Sequence, residues 1–133
     1  MRILQLTKKV PYPIKDGEVI GIINLTIGFA GHGHFVHVLS LNTNKHHFDL
    51  AKLPSSVAAL GKFDAVDINT DVTVSGALKN LFTTSSYNVD RFYSKPFEQL
   101  IYNTIVNESF DFILLEGIYL MRYIETIKAA RKA

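Results

Sequence analysis

Val19-Ile20-Gly21-Ile22-Ile23-Asn24-Leu25-Thr26-Ile27-Gly28-Phe29-Ala30 decides the fold, and its periodicity points two ways. Val19, Ile22, Ile23, Ile27 and Ala30 share one helical face. Yet Ile23 to Phe29 also alternates like a strand and is rich in β-branched residues. Gly21 and Gly28 each weaken a helix by about 1 kcal/mol relative to alanine. Periodicity alone leaves the two readings level. The flanks favour a helix: Asp16-Gly17 is a plausible start and Gly31-His32-Gly33 a plausible stop.

Outward from this stretch lie three short apolar runs, Arg2–Thr7, 35–41 and 110–116, and a weaker one at 63–69. Runs that are apolar on both faces suit a parallel sheet covered on both sides. The segments between them are long enough for helices, and that alternation predicts an α/β fold. Ser94 before Pro96 opens a helix whose stripe is Phe97, Leu100, Ile101 and Ile105. A last helix presents Leu120, Tyr123, Ile124 and Ile127 on one side. It ends on Lys128, Arg131 and Lys132, which suit the negative end of its dipole. Residues 70–93 are the least regular, with a short helix expected at 75–82 and then a loop. The expected architecture is an open, mostly parallel sheet with helices on both faces, in the order third, second, first, fourth strand.

The composition sets bounds. A chain of 133 residues, 47% hydrophobic and 20% charged, is one ordinary globular domain. A formal net charge of +2 gives no reason to expect nucleic acid as a partner. With no cysteine, disulfides and thiolate zinc sites are excluded. Strand-like residues begin at Arg2, leaving no room for a signal peptide. No stretch reaches the roughly 18 apolar residues that span a bilayer. A soluble, cytoplasmic domain is expected.

Ligands of open α/β sheets sit at the carboxyl ends of the strands, where strand order reverses. With the order above, the exits of the first and fourth strands meet at one crevice. The first exit is Lys8-Lys9-Val10-Pro11-Tyr12-Pro13-Ile14-Lys15-Asp16-Gly17. Its prolines stiffen it, Gly17 allows a close ligand approach or a positive φ, and the helix N-terminus offers free N–H groups to an anion. The blander reading is a turn glycine with solvated lysines. Glu116 ends an apolar run, so it is a candidate for hydrogen bonding sugar hydroxyls or acting as a base. It is equally suited to the positive field of a following helix. Gly117 fits a close approach or a turn. Arg91 lies between Asp90 and Phe92, placed either to meet a phosphate or to pack on aromatic rings. His32, His34, His37, His46 and His47 lack a recognisable metal-ligand spacing, so no metal is expected. No dinucleotide fingerprint, P-loop or nucleophile elbow is present, which disfavours a dehydrogenase, an NTPase or an α/β-hydrolase.

Arg2-Ile3-Leu4-Gln5-Leu6-Thr7-Lys8-Lys9-Val10-Pro11-Tyr12-Pro13 with Asp16-Gly17 resembles the opening of bacterial family-4-type glycosyltransferases. So does Gly31-His32-Gly33-His34 leading into Val36-His37-Val38-Leu39-Ser40-Leu41. Ser86-Tyr87-Asn88-Val89-Asp90-Arg91-Phe92 and Phe110-Asp111-Phe112-Ile113-Leu114-Leu115-Glu116-Gly117 match later landmarks in the same order. The resemblance implies a GT-B enzyme of two Rossmann-like domains facing a cleft. Residues 1–133 would be the N-terminal, acceptor-side domain, a partial domain inactive alone, and residues 19–30 a helix. The implied partners are a sugar or lipid-linked acceptor and, through a second domain, a nucleotide-sugar donor. No cofactor is implied within this chain. The cleft residues would be Lys8, Lys9, Asp16, Gly17, Glu18, Arg91, Glu116 and Gly117, with Glu116 the one catalytic candidate. Relatives often carry two glycines where Gly17-Glu18 stands, and some carry a histidine at the position matching Glu116, which puts acceptor contact ahead of a base role for it. The resemblance also implies a location peripheral to the inner face of the membrane. Apolar surface left bare by a missing domain would favour self-association. The alternatives are a non-catalytic Rossmann-like binding module and, less favoured, an epimerase-like half domain.

Overall fold

The computed structural model describes residues 1–71 and 90–133. Strands β1 (Arg2–Thr7), β2 (Phe35–Thr43), β3 (Lys62–Ile68) and β4 (Phe112–Glu116) form one sheet in the order β3-β2-β1-β4. Every pairing is parallel. The order reverses at β1, between β2 and β4, as the crossover rule requires. The expected helix at 75–82 lies outside the described residues.

The stretch at 19–30 is helical. Helix α1 spans Gly17–Gly31. Asp16 caps it, its Oδ1 accepting from the Val19 N–H at 3.0 Å. Gly33, at φ 75°, lets the chain turn into β2. The buried face is Val19, Ile22, Ile23 and Thr26, whereas Ile27 is exposed. The helical stripe is thus narrower than the sequence suggests, which is why a strand reading competes with it.

The two faces of the sheet are covered differently. Strand residues alternate in direction, so Leu4 and Leu6 of β1 and Leu39 and Leu41 of β2 point away from α1. They pack with Phe97, Ile101, Leu120, Tyr123 and Ile127 into the main core. Burying each of these side chains stabilises by roughly 1.5–3 kcal/mol. Phe97 and Ile101 come from α3 (Lys95–Asn107), which Ser94 caps by accepting from the Phe97 N–H at 3.3 Å. The expected last helix begins as a 3-10 turn at Ile118–Tyr123 and becomes α4 at Ile124–Ala130. A four-residue α2 (Ser55–Ala58) leads into β3.

On the other face, α1 lies over a polar centre. Gln5 is fully buried. Its Nε2 donates to the Ile22 carbonyl at 3.3 Å and to Glu116 Oε1 at 3.0 Å, while its Oε1 accepts from the Thr26 hydroxyl at 2.8 Å. Each of these is a side-chain contact reaching across the fold, and the set ties α1, β1 and β4 together. Among the described residues, no helix is long and apolar enough to cross a membrane.

Candidate functional site

The carboxyl ends of β1 and β2 carry the site. The loop from Lys8 to Asp16 leaves β1 and faces the segment that leaves β2 as a 3-10 turn at Asn44–His46. Between them lies an open cleft of about 380 Å³, lined by Lys9, Tyr12, Lys15, Asp16, His46, His47 and Phe48 among others. Tyr12 and Phe48 meet edge to face, with ring centroids 5.0 Å apart. A smaller cavity of about 150 Å³ adjoins it and reaches Thr43, Thr70 and Arg91. The two share Lys9, Lys45 and His46.

The sequence points to a crevice between the exits of β1 and β4. The described cavities lie instead between the exits of β1 and β2. Both cavities still lie at the carboxyl ends of strands. The shift arises because the Tyr12–Phe48 contact builds the wall on the β2 side, while Glu116 and Gly117 line neither cavity. Glu116 accepts from Gln5 on the α1 face. Gly117 has φ 100°, so it serves the turn out of β4. Gly17 does not have positive φ, and a Cβ there would meet nothing within 4 Å. Of the two uses anticipated for Gly17, only the open approach remains.

Lys8 and Lys9 of the loop are paired with carboxylates. Lys9 Nζ stands 2.8 Å from Asp16 Oδ2 and 2.9 Å from Glu18 Oε2. Lys8 Nζ stands 3.3 Å from Glu18 Oε1 and 4.3 Å above the Tyr119 ring. Burial works against the charge on Lys9, but the hydrogen bonds to Asp16 and Glu18 outweigh it and hold its pKa above the ordinary value. The Lys9 hydrogen bond, joined by the Val19 N–H, pulls Asp16 down to about 2. Asp16 and Glu18 thus occupy both ammonium groups, so at the start of α1 the two lysines and two carboxylates balance.

Arg91 lines the smaller cavity, with its guanidinium 5.4 Å from the Phe92 ring centroid. It thus packs beside an aromatic ring while facing a cavity. The histidines are dispersed. His32 and His34 lie at the opposite end of the sheet, His37 is buried beneath it, and only His46 and His47 reach the cleft. Among the described residues, no group of three His, Cys, Asp or Glu side chains is placed to hold a metal ion.

Sequence reasoning missed Tyr12 and Phe48 as facing walls, and Thr43, Lys45 and Thr70 as lining residues. One signal was available: residues 43–48 follow a strand's carboxyl end just as the Lys8 loop does. Comparison with protein-family models, curated proteins and solved structures finds no match for this chain.

Proposed function

We propose that this chain is the acceptor-side half of a two-domain glycosyltransferase. Its role is to hold the hydroxyl-bearing substrate while a second domain supplies the nucleotide-sugar donor. The resemblance of the β1 exit, the β2 entry and the β4 run to family-4-type enzymes supports the reading. The observation that carries it is the cleft walled by Tyr12, Phe48 and Asp16 at the carboxyl end of the sheet. Aromatic ring faces suit the apolar face of a sugar ring, and a carboxylate that stays ionised accepts hydrogen bonds from its hydroxyls. Donor diphosphate charge would be met from the second domain, so this chain alone does not turn over.

A second reading, a binding module without chemistry, draws on the position of Glu116. The one acid considered as a base is engaged by Gln5 and lines neither cavity.

The test is an NMR titration of the isotope-labelled chain with methyl glycosides and with a nucleoside diphosphate sugar. Glycosides are expected to shift the amides of Tyr12, Asp16 and Phe48, and the nucleotide sugar to leave them unchanged. Absence of any glycoside response at these residues would sink the acceptor-side reading. Addition of the donor domain distinguishes the two readings: sugar transfer supports the enzyme, and glycoside binding without transfer supports the module.

A further inference from the structure

Among the described residues, only three buried side-chain polar atoms lack a hydrogen-bond partner: His37 Nδ1, Thr43 Oγ1 and Arg91 Nε. Two of the three, Thr43 and Arg91, line the same 150 Å³ cavity. Thr43 is only 3% exposed, so water in the open cleft does not reach its hydroxyl freely. Leaving donors of this kind unpaired costs free energy that a bound acceptor group would recover.

The charge of the cavity selects the acceptor group. Lys8, Lys45, His46 and Arg91 line it, and among the described residues no carboxylate does. Lys8 and Lys9 are balanced by Asp16 and Glu18, which do not line this cavity. Among the described residues, Lys45 and Arg91 have no carboxylate within ion-pair distance. The net field inside is positive. The Arg91 guanidinium comes from one segment of the chain, and the Thr43 hydroxyl and Lys45 ammonium come from another, the end of β2 and the turn after it. Donors converging from two segments suit the three free oxygens of a phosphate monoester better than a planar carboxylate.

We infer that the cavity beneath Lys45 and Arg91 binds a phosphate group, carried by the molecule whose sugar ring occupies the adjoining Tyr12–Phe48 cleft. The anion pocket stands on its own lining. Only the assignment of the phosphate to an acceptor rests on the acceptor-side reading. The two cavities share Lys9, Lys45 and His46, so one phosphorylated sugar spans both.

Calorimetric titration of the full chain with inorganic phosphate, a hexose, the corresponding hexose phosphate and the corresponding hexuronate tests the inference. The hexose phosphate is expected to bind about tenfold or more tightly than the hexose. Lys45→Gln, a substitution at an exposed residue, and Thr43→Val, which keeps the shape, are expected to weaken the hexose phosphate several-fold, and Thr43→Val, at a residue that lines only the smaller cavity, is expected to leave the hexose unchanged. Equal affinity for hexose and hexose phosphate, equal or tighter binding of the hexuronate, or indifference to both variants would overturn the phosphate pocket. Binding of inorganic phosphate that depends on Lys45 and Thr43, with no gain from the sugar ring, would retain the pocket and overturn the acceptor-side reading instead.

Discussion

Lys9 is only 6% exposed, and its ammonium bridges Asp16 and Glu18 on either side of the start of α1, at 2.8 and 2.9 Å. A lysine at the exit of β1 thus pins the first turn of the helix that follows. Asp16 serves two partners at once, Lys9 with one oxygen and the Val19 N–H with the other. The arrangement has a consequence in acid. Asp16 titrates near 2 in the folded chain and near its ordinary 3.8 when unfolded. Between these values the unfolded chain binds more protons, so stability rises with pH across that window. The contribution is complete above about pH 4 and is lost as pH falls through about 2. Circular-dichroism melts at stepped pH are expected to show this acid limb. In Lys9→Met the limb is expected to shrink and to end at higher pH, because the largest influence holding Asp16 below its unfolded value is removed. An unchanged limb would show that the ion pair does not couple to folding.

The Tyr123 hydroxyl ties the 3-10 turn at Ile118–Tyr123 to the segment that leads into α3. It donates to the Phe92 carbonyl at 2.7 Å and accepts from the Ser94 N–H at 2.9 Å, inside the main core. Burial raises its pKa to about 12, so it remains a neutral donor at any ordinary pH. Tyr123→Phe keeps the ring and its edge-on contact with Phe97 but strands both partners. A destabilisation of about 1–3 kcal/mol is expected in urea unfolding. A value near zero would mean that water replaces the hydroxyl.

Local chemistry was legible in the sequence, and contacts between distant segments were not. Asp16, Gly33 and Ser94 mark helix ends because capping depends on neighbours within a few residues. The strand order follows from the handedness of crossovers, which is general to α/β chains. Gln5, by contrast, reads as an ordinary polar residue in an apolar run. Its burial becomes visible only once α1, β1 and β4 are brought together. The cleft moved from the β4 side to the β2 side for the same reason: the meeting of Tyr12 with Phe48 spans the chain between two strands. Lys9 and Lys15 look alike in sequence, and only the fold buries one of them.

Gly61 shows the same limit and yields a sharp prediction. In Leu60-Gly61-Lys62 it looks like a turn glycine before a strand. In the fold, a Cβ at Gly61 would collide with the backbone carbonyl oxygen of Val36, and would also press on the Val36 Cβ at 3.3 Å. Val36 is fully buried in β2, the strand paired with β3, so the carbonyl has little room to retreat. Gly61→Ala is expected to destabilise by about 3 kcal/mol or more, at the upper end for overpacking. Gly28→Ala, where a Cβ meets nothing within 4 Å, is the control and is expected to stabilise α1 by about 1 kcal/mol. Equal effects of the two variants in urea unfolding would contradict the steric account.

His37 supplies a second pH dependence, with its window nearer neutrality. The ring is 1% exposed and lies against Phe110, with centroids 6.2 Å apart. In the neutral form its Nε2–H donates to Asp64 at 2.8 Å, and Nδ1 is left without a partner, 3.8 Å from Glu108. Lys62 stands beside both carboxylates, 3.0 Å from Glu108 and 3.8 Å from Asp64. Burial is the largest influence on the ring and lowers its pKa, and Lys62 lowers it further. Asp64 and Glu108 pull upward without cancelling the shift from the ordinary 6.5. The folded chain therefore resists a proton that the unfolded chain accepts, so stability rises with pH through this region. It is fully present above about 6.5 and declines as the solution is acidified below that value. His37→Gln removes the titrating group while keeping a donor for Asp64. Urea unfolding between about pH 7 and 5 is expected to show a falling stability for the natural chain and a flat one for the variant. A stability that instead rises on acidification would mean that the carboxylates of Asp64 and Glu108 outweigh burial. His37 would then be held as a charged member of the cluster with Lys62, and its unpartnered Nδ1 would become a donor to Glu108.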